Sequence, residues 1–124
     1  MSHKRAVEGN ELIISDDSGR TLFSMREEDT GGVMRLILSG TITPDAAHEF
    51  EDELVSASTV CKNLELDFSD VSSICSTGLK ALLSTQQFLD KEPHSSFVLQ
   101  HLCGDVARTF RETGFIDLFD IREQ

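Results

Sequence analysis

Two kinds of hydrophobic spacing follow one another along this chain, and together they predict strands and helices in alternation. Residues 22–27 alternate between apolar and polar positions, as in a half-buried strand. Residues 29–32 (Asp-Thr-Gly-Gly) favour a turn, because glycine tolerates the positive φ that tight turns require. Residues 33–38 form a second apolar run, which predicts a hairpin whose second strand ends at Ser39-Gly40.

The next segment has the marks of a helix start. Thr43 can accept hydrogen bonds from the open N–H groups, Pro44 suits the first helical position, and Asp45 favours the positive end of the helix dipole. Apolar residues at helical spacing extend this helix to about Ser58. The same spacing rules predict, in chain order, a strand at 63–68, a loop at 69–73, a helix after residue 78, a strand at 96–102, a helix at 105–113 and a last strand at 115–121.

Strands that alternate with helices of this length predict crossover connections and an α/β layer structure. With 124 residues, the chain has the size of one domain. Residues 1–20 are polar apart from Leu12-Ile13-Ile14, and we interpret them as a polar N-terminal extension, either a tail or a loosely attached strand. Residues 21–124 are then the domain itself.

Charge and hydropathy narrow the classes of function. The formal charge of −11 disfavours nucleic acid as a partner, because binding it requires a basic surface. No apolar run approaches the roughly 20 residues that cross a bilayer, so direct membrane insertion is not expected. The basic start, residues 1–5, is followed by no apolar stretch and therefore does not resemble a secretory signal. A cytoplasmic location is the expectation.

The reactive residue types form no catalytic or metal-binding pattern. The cysteines (61, 75 and 103) and histidines (3, 48, 94 and 101) lack the spacing of metal ligands, so we expect no metal and no cofactor. The Asp-Ser/Thr-Gly triplets at 17–19 and 29–31 are explained as turns. Thr77 and Lys80 have the spacing of some acyl-transfer enzymes but lack the other motifs of these enzymes. The prediction is a protein that is not an enzyme.

The hydroxyl groups of Ser76 and Thr77 stand where a loop enters a helix. Local chemistry favours a capping role, since serine and threonine are common N-caps. The position also suits a phosphorylation switch, because a phosphate at a helix N-terminus meets free N–H groups. It would place roughly two negative charges on a neutral, partly apolar surface expected from Ile74, Gly78 and Leu79. Such a charge would act on partner binding.

Residues 66–79 (LDFSDVSSICSTGL) resemble the signature of STAS domains, which occur in sulfate transporters and anti-sigma-factor antagonists. Leu38-Ser39-Gly40 before the first helix and the segments 106–110 and 114–121 agree with this family, so the resemblance covers residues 21–122. It implies the STAS fold, a four- to five-stranded mixed sheet with helices packed against it.

The resemblance also implies a function. An antagonist of this type binds an anti-sigma factor with serine kinase activity, which phosphorylates the antagonist, and a metal-dependent serine/threonine phosphatase reverses the modification. By position, Ser76 is the phosphoacceptor. The residues implied in partner binding surround it: Thr43, Ile74, Cys75, Ser76, Thr77, Gly78 and Leu79. Two positions depart from the family pattern, since Cys75 and Thr43 stand where the family has carboxylates.

Two hypotheses therefore stay open. The first is a phosphorylation-controlled anti-sigma-factor antagonist, which the intact Ser-Thr-Gly-Leu motif favours. The second is a STAS interaction module without a switch, such as a scaffold in a stress-signalling complex, a subunit of a lipid-transport complex or a small-ligand sensor. The two missing carboxylates favour this second hypothesis.

Overall fold

The fold places a mixed β-sheet against three helices. The structure is a computed structural model and describes residues 4–122. The elements in this part of the chain are, in order, β1 (Lys4–Glu8), β2 (Glu11–Ser15), β3 (Thr21–Thr30), β4 (Val33–Ile42), α1 (Pro44–Val60), β5 (Asn63–Ile74), α2 (Ser76–Asp90), β6 (Ser96–Gln100), α3 (Gly104–Thr113), a 3₁₀ turn (Phe115–Asp117) and β7 (Asp120–Arg122). The predicted α/β class and the predicted order of elements from residue 21 onward are confirmed.

The seven strands lie in the sheet in the same order as in the chain. Neighbouring strands are antiparallel from β1 to β4 and parallel from β4 to β7. The mixed sheet is therefore as predicted, but the expected number of four to five strands is wrong for residues 4–122. The additional strands come from the N-terminal segment, where β1 and β2 form a hairpin.

The N-terminal segment contributes to the core. Leu12 and Ile14 in β2 are 4% and 0% exposed, and β2 pairs with β3 along its length. Residues 4–15 are thus a hairpin attached to the sheet and not a tail, because the short apolar run supplies two inward-facing side chains. Residues 1–3 of the predicted extension and residues 123–124 of the predicted domain lie outside the described residues. The division of the chain at residue 21 stays a prediction.

One face of the sheet packs against the helices. Every second residue is buried in the first half of β3 (Phe23 and Met25) and from Met34 to Leu38 in β4, as the period of two predicted. Phe50 of α1 meets Phe23 of β3 edge to face, with ring centroids 5.8 Å apart. Phe110 of α3 meets Phe68 of β5 in the same way at 6.3 Å. These contacts join both ends of the helical layer to the sheet.

The two central strands are longer than the sequence predicted. Residues 69–73, expected as a loop, belong to β5, and β4 continues through Ser39-Gly40 to Ile42. The pairing of β4 with β5 shifts register twice, between Ile37 and Ser39 and between Gly40 and Thr41. Two β-bulges allow the polar residues 69–73 to continue the pairing with β4. These residues do not alternate strictly between apolar and polar, which is why the sequence predicted a loop.

The ends of the helices agree largely with the prediction. Thr43 caps α1 with Pro44 in the first turn, and Gly114 ends α3 with a φ of 80° in the left-handed region. The predicted last strand is shorter, because residues 115–117 form a 3₁₀ turn before β7. Within residues 4–122, none of the helices is both long enough and apolar enough to cross a membrane.

Candidate functional site

Helices α1 and α2 begin side by side at the ends of two parallel strands. Ile42, the last residue of β4, pairs with Ile74, the last residue of β5. The Cys75 N–H donates to the Ile42 carbonyl at 2.9 Å and continues this pairing by one residue. The next residue in each chain segment is a helix N-cap, Thr43 or Cys75. Two positive helix ends therefore point toward the same edge of the sheet.

The two N-caps share a backbone conformation but differ in capping. Thr43 (φ −80°, ψ 168°) and Cys75 (φ −84°, ψ 171°) are both extended. The Thr43 hydroxyl accepts from the Ala46 N–H at 3.3 Å. No side chain among the described residues makes a capping hydrogen bond at the start of α2. The first N–H groups of α2, which have no partner inside the helix, are thus left for solvent or a ligand.

Ser76 is the first residue of α2, and its side chain is exposed. The expectation from local chemistry that a hydroxyl here serves as the N-cap is wrong, because Cys75 occupies the N-cap. Thr77 is half-buried, and Lys80, one helical turn after Ser76, is exposed. A group transferred to the Ser76 hydroxyl would stand in solvent beside the positive end of α2 and one turn from an ammonium group.

Gly78 allows the start of α2 to lie close to the ends of β4 and β5. A Cβ at this position would lie 2.8 Å from Ile42 Cγ2 and 2.8 Å from Ile74 Cγ1. The side chains of Ile74 and Leu79 are only 7% and 3% exposed. The apolar surface expected from Ile74, Gly78 and Leu79 is therefore wrong, because α2 turns these positions toward the core. What the site presents outward is Ser76, with Thr43, Cys75 and Thr77 half-buried around it.

Two side-chain contacts that the sequence analysis did not single out fix the strand ends below the site. Thr41 Oγ1 and Ser72 Oγ are 2.7 Å apart, and the Ser72 hydroxyl also donates to the Gly40 carbonyl at 3.3 Å. Ser72 is the additional residue at the second bulge of β5, since Val71 and Ser73 pair with consecutive residues of β4. In the sequence, only the consecutive serines 72–73 could have indicated these contacts, but such a pair is equally typical of a loop.

Asp67 has a structural role at the first bulge. Its Oδ1 accepts from the Ser69 N–H at 2.9 Å, and its Oδ2 accepts from the Arg35 guanidinium at 2.8 Å. Burial alone would raise the pKa of Asp67, but these two hydrogen bonds favour the carboxylate and leave its pKa below the usual value. The aspartate of the signature thus connects β5 to β4 through Arg35.

Electrostatically, the surface next to Ser76 differs from the pattern that the resemblance implied. Cys75 and Thr43 are both half-buried; Cys75 is the N-cap of α2, and Thr43 is the N-cap of the neighbouring helix α1. Neither side chain is a carboxylate, so neither adds the negative charge that the resemblance implied at these positions.

A mixed sheet, helices that begin side by side, and an exposed serine at an uncapped helix start define a domain of the STAS class. The family model described as "Mlab, STAS domain" matches residues 25–120. The chain belongs to this family, and the resemblance stated from the sequence is confirmed.

Solved structures of anti-sigma factor antagonists have the same fold. An antagonist from Mycobacterium paratuberculosis is 26% identical with a TM-score of 0.75, and the match covers 82% of this chain and 86% of that one. SpoIIAA in its unphosphorylated form is 16% identical with a TM-score of 0.65, covering 81% and 88%. The Bacillus cell fate determinant SpoIIAA in its phosphorylated form is 14% identical with a TM-score of 0.61, covering 81% and 92%. A search of curated proteins finds no match.

Proposed function

We propose that this protein is an anti-sigma factor antagonist that acts in the cytoplasm by binding a protein partner, and that phosphorylation of Ser76 controls this binding. The partner is an anti-sigma factor with serine kinase activity, and a metal-dependent serine/threonine phosphatase restores the unmodified form. The single observation that carries the proposal is the exposed Ser76 hydroxyl at the uncapped start of α2, on the fold of the antagonists.

Phosphorylation at this position is compatible with an intact fold. An anion at a helix N-terminus stabilises the helix by about 0.3–1 kcal/mol. An oppositely charged pair four residues apart, such as phosphoserine 76 with Lys80, adds about 0.2–0.5 kcal/mol. Both contributions favour the folded state. The switch therefore acts on the partner, which would have to bury roughly two negative charges at the centre of its contact.

Phosphorylation is tested by incubating the protein with ATP and the kinase-type anti-sigma factor encoded in the same genome, followed by intact-mass and fragment analysis. We expect one phosphate on the fragment that contains Ser76. The modification should be absent in Ser76→Ala and unchanged in Thr77→Val, which removes the half-buried neighbouring hydroxyl. A phosphate that persists in Ser76→Ala, or no phosphate with any such kinase, contradicts the switch.

Binding is tested with the same partner by calorimetry. Ser76→Ala should bind as the unmodified protein does, because the exposed side chain makes no capping hydrogen bond. Ser76→Asp should bind at least about tenfold more weakly, which corresponds to about 1.4 kcal/mol. Thr109→Asp serves as a matched control that adds one charge to a different helix, α3, and should leave the affinity unchanged. Equal affinities of Ser76→Asp and the unmodified protein would remove the support for a charge-controlled interface.

The second candidate is a STAS module that binds its partner constitutively, as a scaffold of a stress-signalling complex or a subunit of a lipid-transport complex. Two observations favour it: Thr43 and Cys75 replace the family's carboxylates, and the matching family model carries the description Mlab. This candidate predicts unmodified protein from native cells and a partner affinity that Ser76→Asp leaves unchanged. The switch predicts the opposite in both measurements.

A further inference from the structure

A cavity of about 210 Å³ lies between the sheet and the second half of α1, on the side of the N-terminal hairpin. Its floor is apolar and consists of buried side chains from three neighbouring strands: Leu12, Met25, Met34 and Leu36. Two large exposed apolar residues also line it, Val7 (58% exposed) from β1 and Val60 (77% exposed) from the end of α1. An occupant would cover apolar surface that is now in contact with water.

One lining residue, Glu27, breaks the apolar pattern of its strand. Phe23, Met25 and Glu27 alternate along β3, so they share the face of the sheet that packs against α1. Phe23 and Met25 are buried in the core, and the carboxylate of Glu27 follows them at a half-buried position. A partner of opposite charge would stabilise an inward-facing carboxylate at the wall of an apolar cavity.

The structure provides no such partner within the cavity. The described residues that line it include two carboxylates, Glu27 and Glu53, and no basic side chain. Burial raises the pKa of Glu27, and the carboxyl groups of Asp29 and Glu53 raise it further. Arg5 lies outside the lining and bonds Glu53 at 2.8 Å, so this cation is already engaged on α1. Among the described residues, none that lines the cavity supplies a positive charge beside Glu27.

We propose that this cavity is a binding site for a small amphipathic organic cation, an aliphatic ammonium compound whose ammonium group pairs with Glu27 and whose hydrocarbon chain occupies the apolar floor. A cavity of about 150 Å³ lined by apolar side chains accommodates benzene. In proportion, this cavity accommodates about eight non-hydrogen atoms, the size of heptylammonium. Metal cations do not suit it, because the floor offers no oxygen ligands and is apolar.

This site is independent of Ser76 and of the proposed switch. Four lining residues (Val7, Gly9, Asn10 and Leu12) precede residue 25, where the match to the family model begins. The cavity thus depends on the N-terminal hairpin of this chain and not only on the shared domain. Binding would fix the β1–β2 turn against α1, since the occupant contacts both.

The proposal is tested by titrating the whole chain, labelled with carbon-13 at its methionine methyl groups, with heptylammonium chloride. Met25 and Met34 both line the cavity and report directly on its occupation. Heptanol is the neutral probe of the same chain length. Two variants complete the design: Glu27→Gln removes the inward charge, and Glu28→Gln removes the neighbouring charge that the strand places on the opposite face.

We expect both methyl signals to shift saturably with heptylammonium, which should bind about tenfold more tightly than heptanol. Glu27→Gln should reduce the affinity for heptylammonium to that for heptanol, whereas Glu28→Gln should change it less than about twofold. The proposal is overturned if the two methyl signals do not shift. It is equally overturned if heptanol binds as tightly as heptylammonium, or if Glu28→Gln weakens binding as much as Glu27→Gln does.

Discussion

Replacing Gly78 by alanine sets two effects of known sign against each other. In an ordinary helix the change stabilises by about 1 kcal/mol, because alanine loses less backbone entropy on folding. Here the added Cβ would lie 2.8 Å from Ile42 Cγ2, 2.8 Å from Ile74 Cγ1 and 3.2 Å from Ile74 Cδ1. Carbon atoms in good contact are about 3.5–4.0 Å apart, so α2 or both isoleucines must move.

The packing effect is expected to exceed the gain in helix propensity. Overpacking a close-packed core costs about 1–3 kcal/mol, and Ile42 (1% exposed) and Ile74 (7% exposed) have little room to move. The net expectation for Gly78→Ala is a loss of about 1 kcal/mol in the free energy of unfolding, or about 4 °C in Tm. Urea unfolding followed by circular dichroism measures this loss.

A double-mutant cycle separates the packing effect from other causes. Combined with Ile74→Ala, which removes two of the three close atoms, Gly78→Ala should cost less than it does alone. Ser84→Ala on the exposed face of α2 is the control and should be neutral or slightly stabilising. If Gly78→Ala stabilised the protein as the control does, the conclusion that Gly78 allows α2 to pack closely against the strands would be wrong.

Three further changes follow from the same contacts. Thr43→Ala should cost about 1 kcal/mol of stability, because it removes the side-chain cap of α1. Ser76→Ala should change the stability by less than about 0.5 kcal/mol, because Ser76 caps no helix. Chemical denaturation compares the two variants, and equal losses would contradict the assignment of the caps. Gly40→Ala should cost at least about 3 kcal/mol, since φ is +102° and the Cβ would collide with the Leu22 carbonyl; a stable, soluble variant would refute this. Asp67→Asn should cost about 1–2 kcal/mol at neutral pH. Because the pKa of Asp67 is lowered in the folded state, the stabilisation by its carboxylate is present above about pH 4 and is lost as the pH falls through the folded-state pKa. The difference in the free energy of unfolding between Asp67→Asn and wild type should therefore be smaller at pH 3 than at pH 7 in chemical denaturation. A difference that is the same at both pH values would contradict this.

The sequence predicted those elements of the fold for which hydrophobic period and capping chemistry agree. The β3–β4 hairpin, the start of α1 at Thr43 and the αL cap at Gly114 are examples, since each combines a periodic pattern with a residue suited to the terminus. For the N-terminal segment, the sequence left open whether it is a tail or a loosely attached strand. Its second strand supplies only two inward-facing side chains, and such a short signal gains meaning only once β3 offers an edge to pair with.

The sequence predicted that Ser76 lies at the start of a helix, but it did not predict which neighbouring residues are exposed. The position of Ser76 at a helix start follows from the local pattern and from the resemblance to STAS domains. Ile74, Gly78 and Leu79 are buried because α2 packs closely against the ends of the strands. This packing is part of the tertiary structure and cannot be predicted from the local sequence pattern. In the same way, alternation placed Glu27 in line with Phe23 and Met25, but only the packing of α1 shows that this position faces a cavity.

The strand order of the sheet has a consequence for how the chain reaches its native state. Because each strand lies beside its neighbour in sequence, no strand within residues 4–122 has to insert between two that are already paired. Short turns and single helices join the successive strands, so the pairing of strands requires closing only short loops. During synthesis, which proceeds from the N-terminus at about 5–20 residues per second, each new strand can add to the edge that the previous one presents. Translation itself can thus guide assembly of the sheet, with the hairpin at residues 4–15 available first.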